Sequence, residues 1–386
     1  MRLRTTRAVV AALGTGQTIA YASSYYLPAV LATPMARDLG LSTVWVFAGF
    51  SVAMIVSALV GPLAGRMIDR NGGGWVLVAS NLIFAVGLIG LAVCSGPVTL
   101  CLAWVVIGIG MGCGLYEAAF ATLAGIYGRA ARSPITGITL IAGFASTVGW
   151  PLSGVIEAQM GWRVDCLAWA LIHLIIALPL NLALPPAVVP PPVSQAVPRD
   201  APPASRLTFW LLAWVFAATW FTSTAMAAHL PRLLEAAGAS SAMAIAAGAL
   251  IGPAQVAARL FEFGILSPFH PLLSARLAAL THPVGAAALL MIGGPAAYAF
   301  AVLHGAGNGV LTIAKGTLPL AIFGPAGYGL RQGLLNAPAR ILQAFAPLLF
   351  GFALERWGAS AVWLTTGISL SAFAALMVIR KSGTGD

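Results

Sequence analysis

Twelve stretches of this sequence are long and apolar enough to cross a lipid bilayer: residues 8–32, 43–67, 75–95, 98–128, 135–158, 166–184, 207–230, 240–262, 276–292, 295–324, 333–354 and 359–379. A spanning helix needs roughly 20 mostly apolar residues, because the hydrocarbon core is about 30 Å thick. No water is present there to satisfy backbone N–H and C=O groups, so each stretch is expected to be a helix that closes its own hydrogen bonds. Composition agrees, with 60% hydrophobic and only 8% charged residues, outside the range of soluble domains. The expectation is an all-α membrane protein with 12 transmembrane helices. The first stretch is too long for a signal-peptide core and is expected to remain as the first helix.

The net charge of +10 suggests nucleic acid or a membrane surface until its distribution is considered. With a cytoplasmic N-terminus, thirteen of the basic residues fall in cytoplasmic segments and only four, Arg37, Arg163, Arg232 and Arg356, in outer loops. Three more, Arg259, Lys315 and Arg340, fall within spans. This asymmetry is the positive-inside pattern, so both termini are expected in the cytoplasm and the partner is membrane lipid, not nucleic acid. The inner (plasma) membrane of a bacterium is the expected location. The four cysteines, Cys94, Cys101, Cys113 and Cys166, have no metal-ligand spacing and read as free thiols packed as small apolar groups.

Charge first appears between spans in Gly61-Pro-Leu-Ala-Gly-Arg-Met-Ile-Asp-Arg-Asn-Gly-Gly-Gly74. Gly61 and Gly65 let a neighbouring helix approach closely. Asp69 and Arg70 are costly in hydrocarbon and mark an interfacial turn, and Gly72, Gly73 and Gly74 permit a reversal through positive φ. The pattern G-x-x-x-D-R-x-G, carried by Gly65, Asp69, Arg70 and Gly72, resembles the gating motif between helices 2 and 3 of the major facilitator superfamily. The family continues with two basic residues, where this chain has Gly73 and Gly74.

Internal similarity supports two halves. Gly110-x-Gly112-x-Gly114 followed by Glu117 in the fourth span matches Gly305-x-Gly307-x-Gly309 followed by Lys315 in the tenth, at an offset of 195 or 196 residues. Gly65-Arg-Met-Ile-Asp69 matches Ala258-Arg-Leu-Phe-Glu262 at an offset of 193. Such parallel repeats characterise the facilitator fold. Residues 185–206 between the halves contain eight prolines, which remove donors and clash with a helical turn, so an extended linker is expected. The organisation reads as a six-helix bundle over 1–184, a cytoplasmic linker over 185–206 and a second, pseudo-symmetric six-helix bundle over 207–386.

Ionisable groups within a bilayer are functional candidates by default. Helices 1, 4, 7 and 10 line the central cavity of facilitators, so the resemblance places Glu117 and Lys315 there. Lys315 is a compact cation suited to an anionic group or to pairing with Glu117. Arg259 lies in Gln255-Val-Ala-Ala-Arg259, which resembles the helix 8 pattern of the monocarboxylate transporter branch, where an aspartate stands four residues before a substrate-binding arginine. Gln255 replaces that aspartate, and the first span has no lysine corresponding to the one in that branch. The alternative makes Arg259 the second-half copy of Arg66, at the cytoplasmic face beside Glu262. Gln17, Tyr21 and Tyr25 share one helical face and serve either as helix contacts or as a cavity wall. Asn308 and Thr312 lie on the side of Lys315. Glu117 is the first proton-carrier candidate, because burial and a nearby cation act on it in opposite directions. His304 and His229 titrate near neutrality, with His229 placed near the outer end and His173 read as a packing residue.

No phosphate loop, metal-binding histidine pair or nucleophile elbow is present, so neither enzymatic chemistry nor a cofactor is expected, nor ATP-driven transport. The expected function is secondary transport of a small solute by alternating access, coupled to protons. The first reading takes an organic or inorganic anion, bound by Lys315, Arg259, Tyr25, Asn308 and Thr312. The second is an exporter of amphiphilic drugs or metabolites. It is motivated by Tyr25, Tyr26, Trp214, Trp220 and Phe221 and by Gly143-Phe-Ala-Ser-Thr-Val-Gly-Trp-Pro-Leu-Ser-Gly154, which resembles the helix 5 motif of facilitator antiporters. A third is a membrane sensor without flux. The resemblance implies a monomer.

Overall fold

The computed structural model describes residue 3, residues 5–187 and residues 206–380. Most of the proline-rich linker, and the basic residues Arg2, Arg4, Arg199 and Lys381, therefore lie outside the described residues. Every regular element among those described is helical. The helices are α1 (6–38), α2 (Thr43–Asn71), α3 (Gly74–Ala92), α4 (97–127), α5 (132–160), α6 (Trp162–Leu182), α7 (Arg206–Ala236), α8 (Ser241–Leu266), α9 (Pro271–Ile292), α10 (Ala297–Phe323), α11 (Tyr328–Trp357) and α12 (Val362–Val378).

Nine helical segments among the described residues are each long and apolar enough to cross a membrane. Two of these, of 64 and 51 residues, contain a short 3₁₀ turn at Gly128–Ala131 and Gly358–Ala361 that divides them into α4 and α5, and into α11 and α12. Gly128 and Gly358 open these turns at φ 56° and 55°, which a side chain would resist. The remaining helix, α1, is assembled from Thr6–Ala20, a π-helical turn Tyr21–Tyr25 and Leu27–Asp38. Pro28 explains the interruption, since it has no N–H to give back to the preceding turn and its ring crowds the carbonyl there. The π turn His173–Ala177 in α6 precedes Pro179 in the same way.

The chain divides into two compact units, one of residues 1–194 with 324–337 and the other of residues 195–323 with 338–386. Compactness therefore groups the loop and first turns of α11 with the first unit. In the first unit α2 and α3 pack on α4, and α3 and α1 pack on α6. In the second, α8 and α10 pair, as do α9 and α10, while α9 and α7 pack on α12. The same order of pairings recurs, each element six places on.

Glycines make these pairings close, which matters because helices in lipid associate by van der Waals contact, with no hydrophobic gain. A Cβ on Gly108 would stand 2.6 Å from the Ala53 carbonyl oxygen of α2, and one on Gly112 only 2.9 Å from Val60. Gly305 and Gly309 meet the carbonyls of Ile251 and Gln255 on α8 in the same way, at 2.8 and 2.6 Å. Gly110 faces Phe84 on α3, and Gly307 faces Thr281 on α9. The packing register thus relates Gly108, Gly110 and Gly112 to Gly305, Gly307 and Gly309 at an offset of 197 residues. The sequence match at 195 is one glycine out, because Gly108 to Gly114 alternate through four glycines that look alike without their neighbours. In this register Lys315 corresponds to Ala118. Between α2 and α8 the same contacts match Ala53 to Ile251 and Ser57 to Gln255, an offset of 198, so Arg259 corresponds to Gly61, five residues before Arg66.

Large apolar side chains face outward, among them Val86 (61% exposed), Phe352 (68%) and Trp363 (60%). Such a surface suits lipid and would aggregate in water. The cysteines are free thiols. Cys94, between α3 and α4, is buried, and that burial pushes its thiol above the usual range, in keeping with an inert packing role.

Candidate functional site

The first unit holds the turn motif. Gly65 packs directly on the backbone of Gly329, and a Cβ on Gly333 would stand 2.6 Å from the Gly61 carbonyl oxygen. The close approach expected at Gly61 and Gly65 is therefore made with the opening turns of α11, which supplies its own glycines at the same spacing of four. That approach brings Asp69 to the end of α11. Its Oδ1 accepts the Gly329 N–H at 2.7 Å and its Oδ2 the Leu330 N–H at 2.8 Å. The first N–H groups of a helix have no intrahelical partner and carry the positive end of its dipole, so a bidentate carboxylate satisfies both needs. Arg70 is exposed. Gly72 closes α2 at φ 82°. Gly73 lies against Thr122 so tightly that a Cβ would collide with its hydroxyl, whereas Gly74 has open space.

Glu117 lies in the same unit. α4 breaks at Leu115, whose ψ of −171° is extended, and resumes as Tyr116–Tyr127 with Glu117 in its first turn. A carboxylate there is favoured by the helix dipole. Glu117 is half-buried and within electrostatic reach of Tyr328. Tyr25 sits in the π turn of α1, 5.6 Å from Phe50 and 5.2 Å from Tyr26, while the Tyr21 ring lies tilted against Tyr116 at 4.6 Å. Gln17, on the same face, donates to the Gly114 carbonyl at 2.6 Å.

The second unit gathers cations around one indole. Lys315 is 3% exposed and its Nζ stands 4.2 Å from the Trp220 ring centre; the Arg340 guanidinium, 2% exposed, stands 5.6 Å from the same ring. Cation–π attraction is strongest for Trp and grows as water is removed. Arg340 also donates to Gln343 at 3.3 Å, and Gln343 donates in turn to Thr224 at 3.0 Å. Trp220 Nε1 is buried with no hydrogen-bond acceptor among the described residues. A small cavity of about 10 Å³ beside it is lined by Trp220, Lys315, Thr219 and Leu311. Arg259 donates to the Gly309 carbonyl and to Gln255, both at 3.3 Å. Thr312 returns its hydroxyl proton to the Asn308 carbonyl at 2.8 Å. Asn308 and His304 line a larger cavity of about 30 Å³.

Several residues escape a reading of the sequence. Arg340 is visible as an in-span charge, but its sharing of Trp220 with Lys315 joins three helices and leaves no periodic trace. His282 pairs with His304 at 3.0 Å; an imidazole before proline inside an apolar stretch, Thr281-His-Pro283, was the available signal. Asp165 is fully buried, with Ser153 beside its carboxylate. It stands one residue before the boundary drawn for its span.

A protein of uncharacterized function, a 38 kDa product of the 23S RNA operon of Thermoproteus tenax, is 29% identical over 359 residues, covering 91% of this chain and 90% of that one. Among solved structures, the proton:xylose symporter XylE superposes with a TM-score of 0.73 at 14% identity, covering 97% of this chain and 96% of its own. The human organic anion transporter MFSD10 (TETRAN) superposes with a TM-score of 0.71 at 17% identity, covering 97% and 100%. Identities this low establish a shared fold. The family model described as Major Facilitator Superfamily matches residues 13–298, about three quarters of the chain. The matched span, the turn motif around Asp69 and the two helical units together make this chain an integral membrane protein belonging to the major facilitator superfamily of transporters.

Proposed function

We propose that the protein is a proton-coupled secondary transporter of a small organic or inorganic anion. The observation that carries this reading is the clustering of Lys315 and Arg340 on Trp220 inside the second unit. An anion arriving at this cluster meets two cations and an indole N–H that has no acceptor among the described residues. Arg259, Asn308 and Thr312 complete the proposed substrate contacts of the second unit, and Tyr25 is the contact proposed in the first. Glu117, at the start of its half-helix, is the proposed proton carrier. The human structural neighbour MFSD10 is an organic anion transporter, which accords with the substrate class, and XylE is a proton:xylose symporter, which accords with proton coupling.

A second reading, export of amphiphilic compounds, is favoured by the aromatic group of Tyr21, Tyr25, Tyr26, Phe50 and Trp150 in the first unit. Purified protein in proteoliposomes separates the two. Small carboxylates and oxyanions are screened for solute-evoked current and pH change, beside cationic and neutral amphiphiles. An anion signal that is lost in Lys315→Ala supports the first reading. Signals from amphiphiles alone, lost in Glu117→Gln and kept in Lys315→Ala, replace it with the second. Absence of any flux leaves a sensor.

A further inference from the structure

We propose that the cavity between α7, α9, α10 and α12 is a proton-and-water site built on His304 and His282. This deepens the proton-coupled reading above and rests on it. His282 Nδ1 lies 3.0 Å from His304 Nδ1, and His282 Nε2 lies 3.0 Å from Thr365 Oγ1. Thr365 Oγ1 in turn donates to the Val362 carbonyl at 3.0 Å. A carbonyl oxygen only accepts, and a hydroxyl has one proton to give. The chain therefore runs in one sense. Thr365 gives its proton to Val362, His282 donates Nε2–H to Thr365, and His304 donates Nδ1–H to His282 Nδ1. Both imidazoles are neutral in this arrangement, and His304 is left with a bare Nε2.

The cavity that His304 lines is also bounded by Thr219, Thr222, Ser223, Asn308 and Ser369, and its volume of about 30 Å³ suits one or two waters. Thr222 supplies an independent sign of an occupant. The hydroxyls of Thr219, Thr312 and Thr317 return to the carbonyl four residues earlier. That of Thr222 is buried, 5% exposed as a residue, and has no partner among the described residues. A water in the cavity would meet this hydroxyl and His304 Nε2 together.

Loading is a simple transfer. A hydronium reaching the cavity gives its proton to His304 Nε2. One N–H bond forms, one O–H bond breaks, a water remains and the site gains one positive charge. The bond between the two imidazoles persists, so no side chain has to turn. The other ionisable groups on the surrounding helices are Arg206, His229, Arg232 and Glu235 on α7, Arg259 and Glu262 on α8, Arg276 on α9, and Tyr298 and Lys315 on α10. None of them lines the cavity. α12 carries no ionisable residue. Lys315 is eleven residues from His304 on one helix, roughly 16 Å along its axis.

The test is nitrogen NMR of histidine-labelled full-length protein in nanodiscs, read between about pH 4 and 9. The expected result has two parts. Near neutrality His304 carries its proton on Nδ1 with Nε2 bare, and on acidification Nε2 takes up one proton, a transition absent from His304→Gln. In Thr365→Val the chain loses its end acceptor, so the tautomer of the pair reverses and Nε2 of His304 is protonated from the outset. The proposal is overturned if His304 does not titrate in this range, if its Nε2 already carries hydrogen in the unaltered protein, or if Thr365→Val leaves the tautomer unchanged. Should His304→Gln fail to fold, the Thr365→Val spectrum decides alone. No flux enters these readings, so failure here is separate from failure of the transport assignment.

Discussion

Each unit buries imidazole between its third and sixth helices, and the two surroundings differ. In the first unit His173 of α6 is fully buried, 2.9 Å from Asn81 Oδ1 of α3 and 2.8 Å from the Ser23 hydroxyl of α1. The Asn81 amide donates to the Leu77 carbonyl, so its oxygen is left to accept from His173 Nδ1–H. Ser23 then donates to Nε2, and neither ring nitrogen remains for anything else. Phe84 stacks on the ring at 4.9 Å. In the second unit the corresponding layer has two imidazoles, a cavity and an uncommitted hydroxyl. A saturated polar network fixes helices in place; one with spare capacity receives a ligand or a proton. The comparison gives the first histidine a structural role and leaves the other pair the capacity that the proposed proton site requires.

The sharpest way to break this comparison is His173→Ala. It strands the Asn81 oxygen, leaves the Ser23 hydroxyl only the Ala20 carbonyl at 3.4 Å and empties the space of a buried ring, and a loss of about 2–4 kcal/mol is expected. Thermal unfolding in detergent measures it, with flux per folded molecule unchanged. His304→Gln gives up one hydrogen bond beside a cavity roomy enough for water, so its loss should stay under about 1.5 kcal/mol. Equal losses at the two sites would erase the distinction. Next in size, Lys315→Ala should fold normally and lower anion flux about 10- to 100-fold, the worth of a hydrogen bond to a charged group. Asp69→Asn comes third. An amide oxygen replaces a charged, bidentate acceptor at the α11 N-terminus, and a stability loss of about 1–2 kcal/mol is expected from the weakened cap. Trp220→Phe is the smallest. It keeps the apolar contact and weakens the cation–π attraction, raising the apparent KM for the anion about two- to fivefold with little change in maximal rate.

The fold was legible because the bilayer imposes a length and a polarity on every spanning helix, and all twelve apolar stretches coincide with helices. The turn motif was legible because Gly65, Asp69 and Gly72 lie within eight residues of one another. What it touches was not, since Gly329 and Leu330 lie some 260 residues away. The same limit hid the Lys315–Trp220–Arg340 cluster and the partner of His304. Each is a meeting of separate helices at positions that look apolar or isolated one helix at a time. The repeat register shows the converse. Four alternating glycines advertise a close-packed helix clearly and, for that reason, conceal which of them faces which neighbour.

The contact between Gly73 and Thr122 has a bearing on descent. The family pattern has a basic side chain at this place, and here the hydroxyl of Thr122 fills the volume that its Cβ needs. Gly74, with nothing nearby, is free to regain its charge in a single step. Position 73 is not: an arginine there becomes acceptable only after Thr122 has shrunk or turned away. The order of change is thus constrained, and among relatives residues 73 and 122 should vary as a pair while 74 drifts alone.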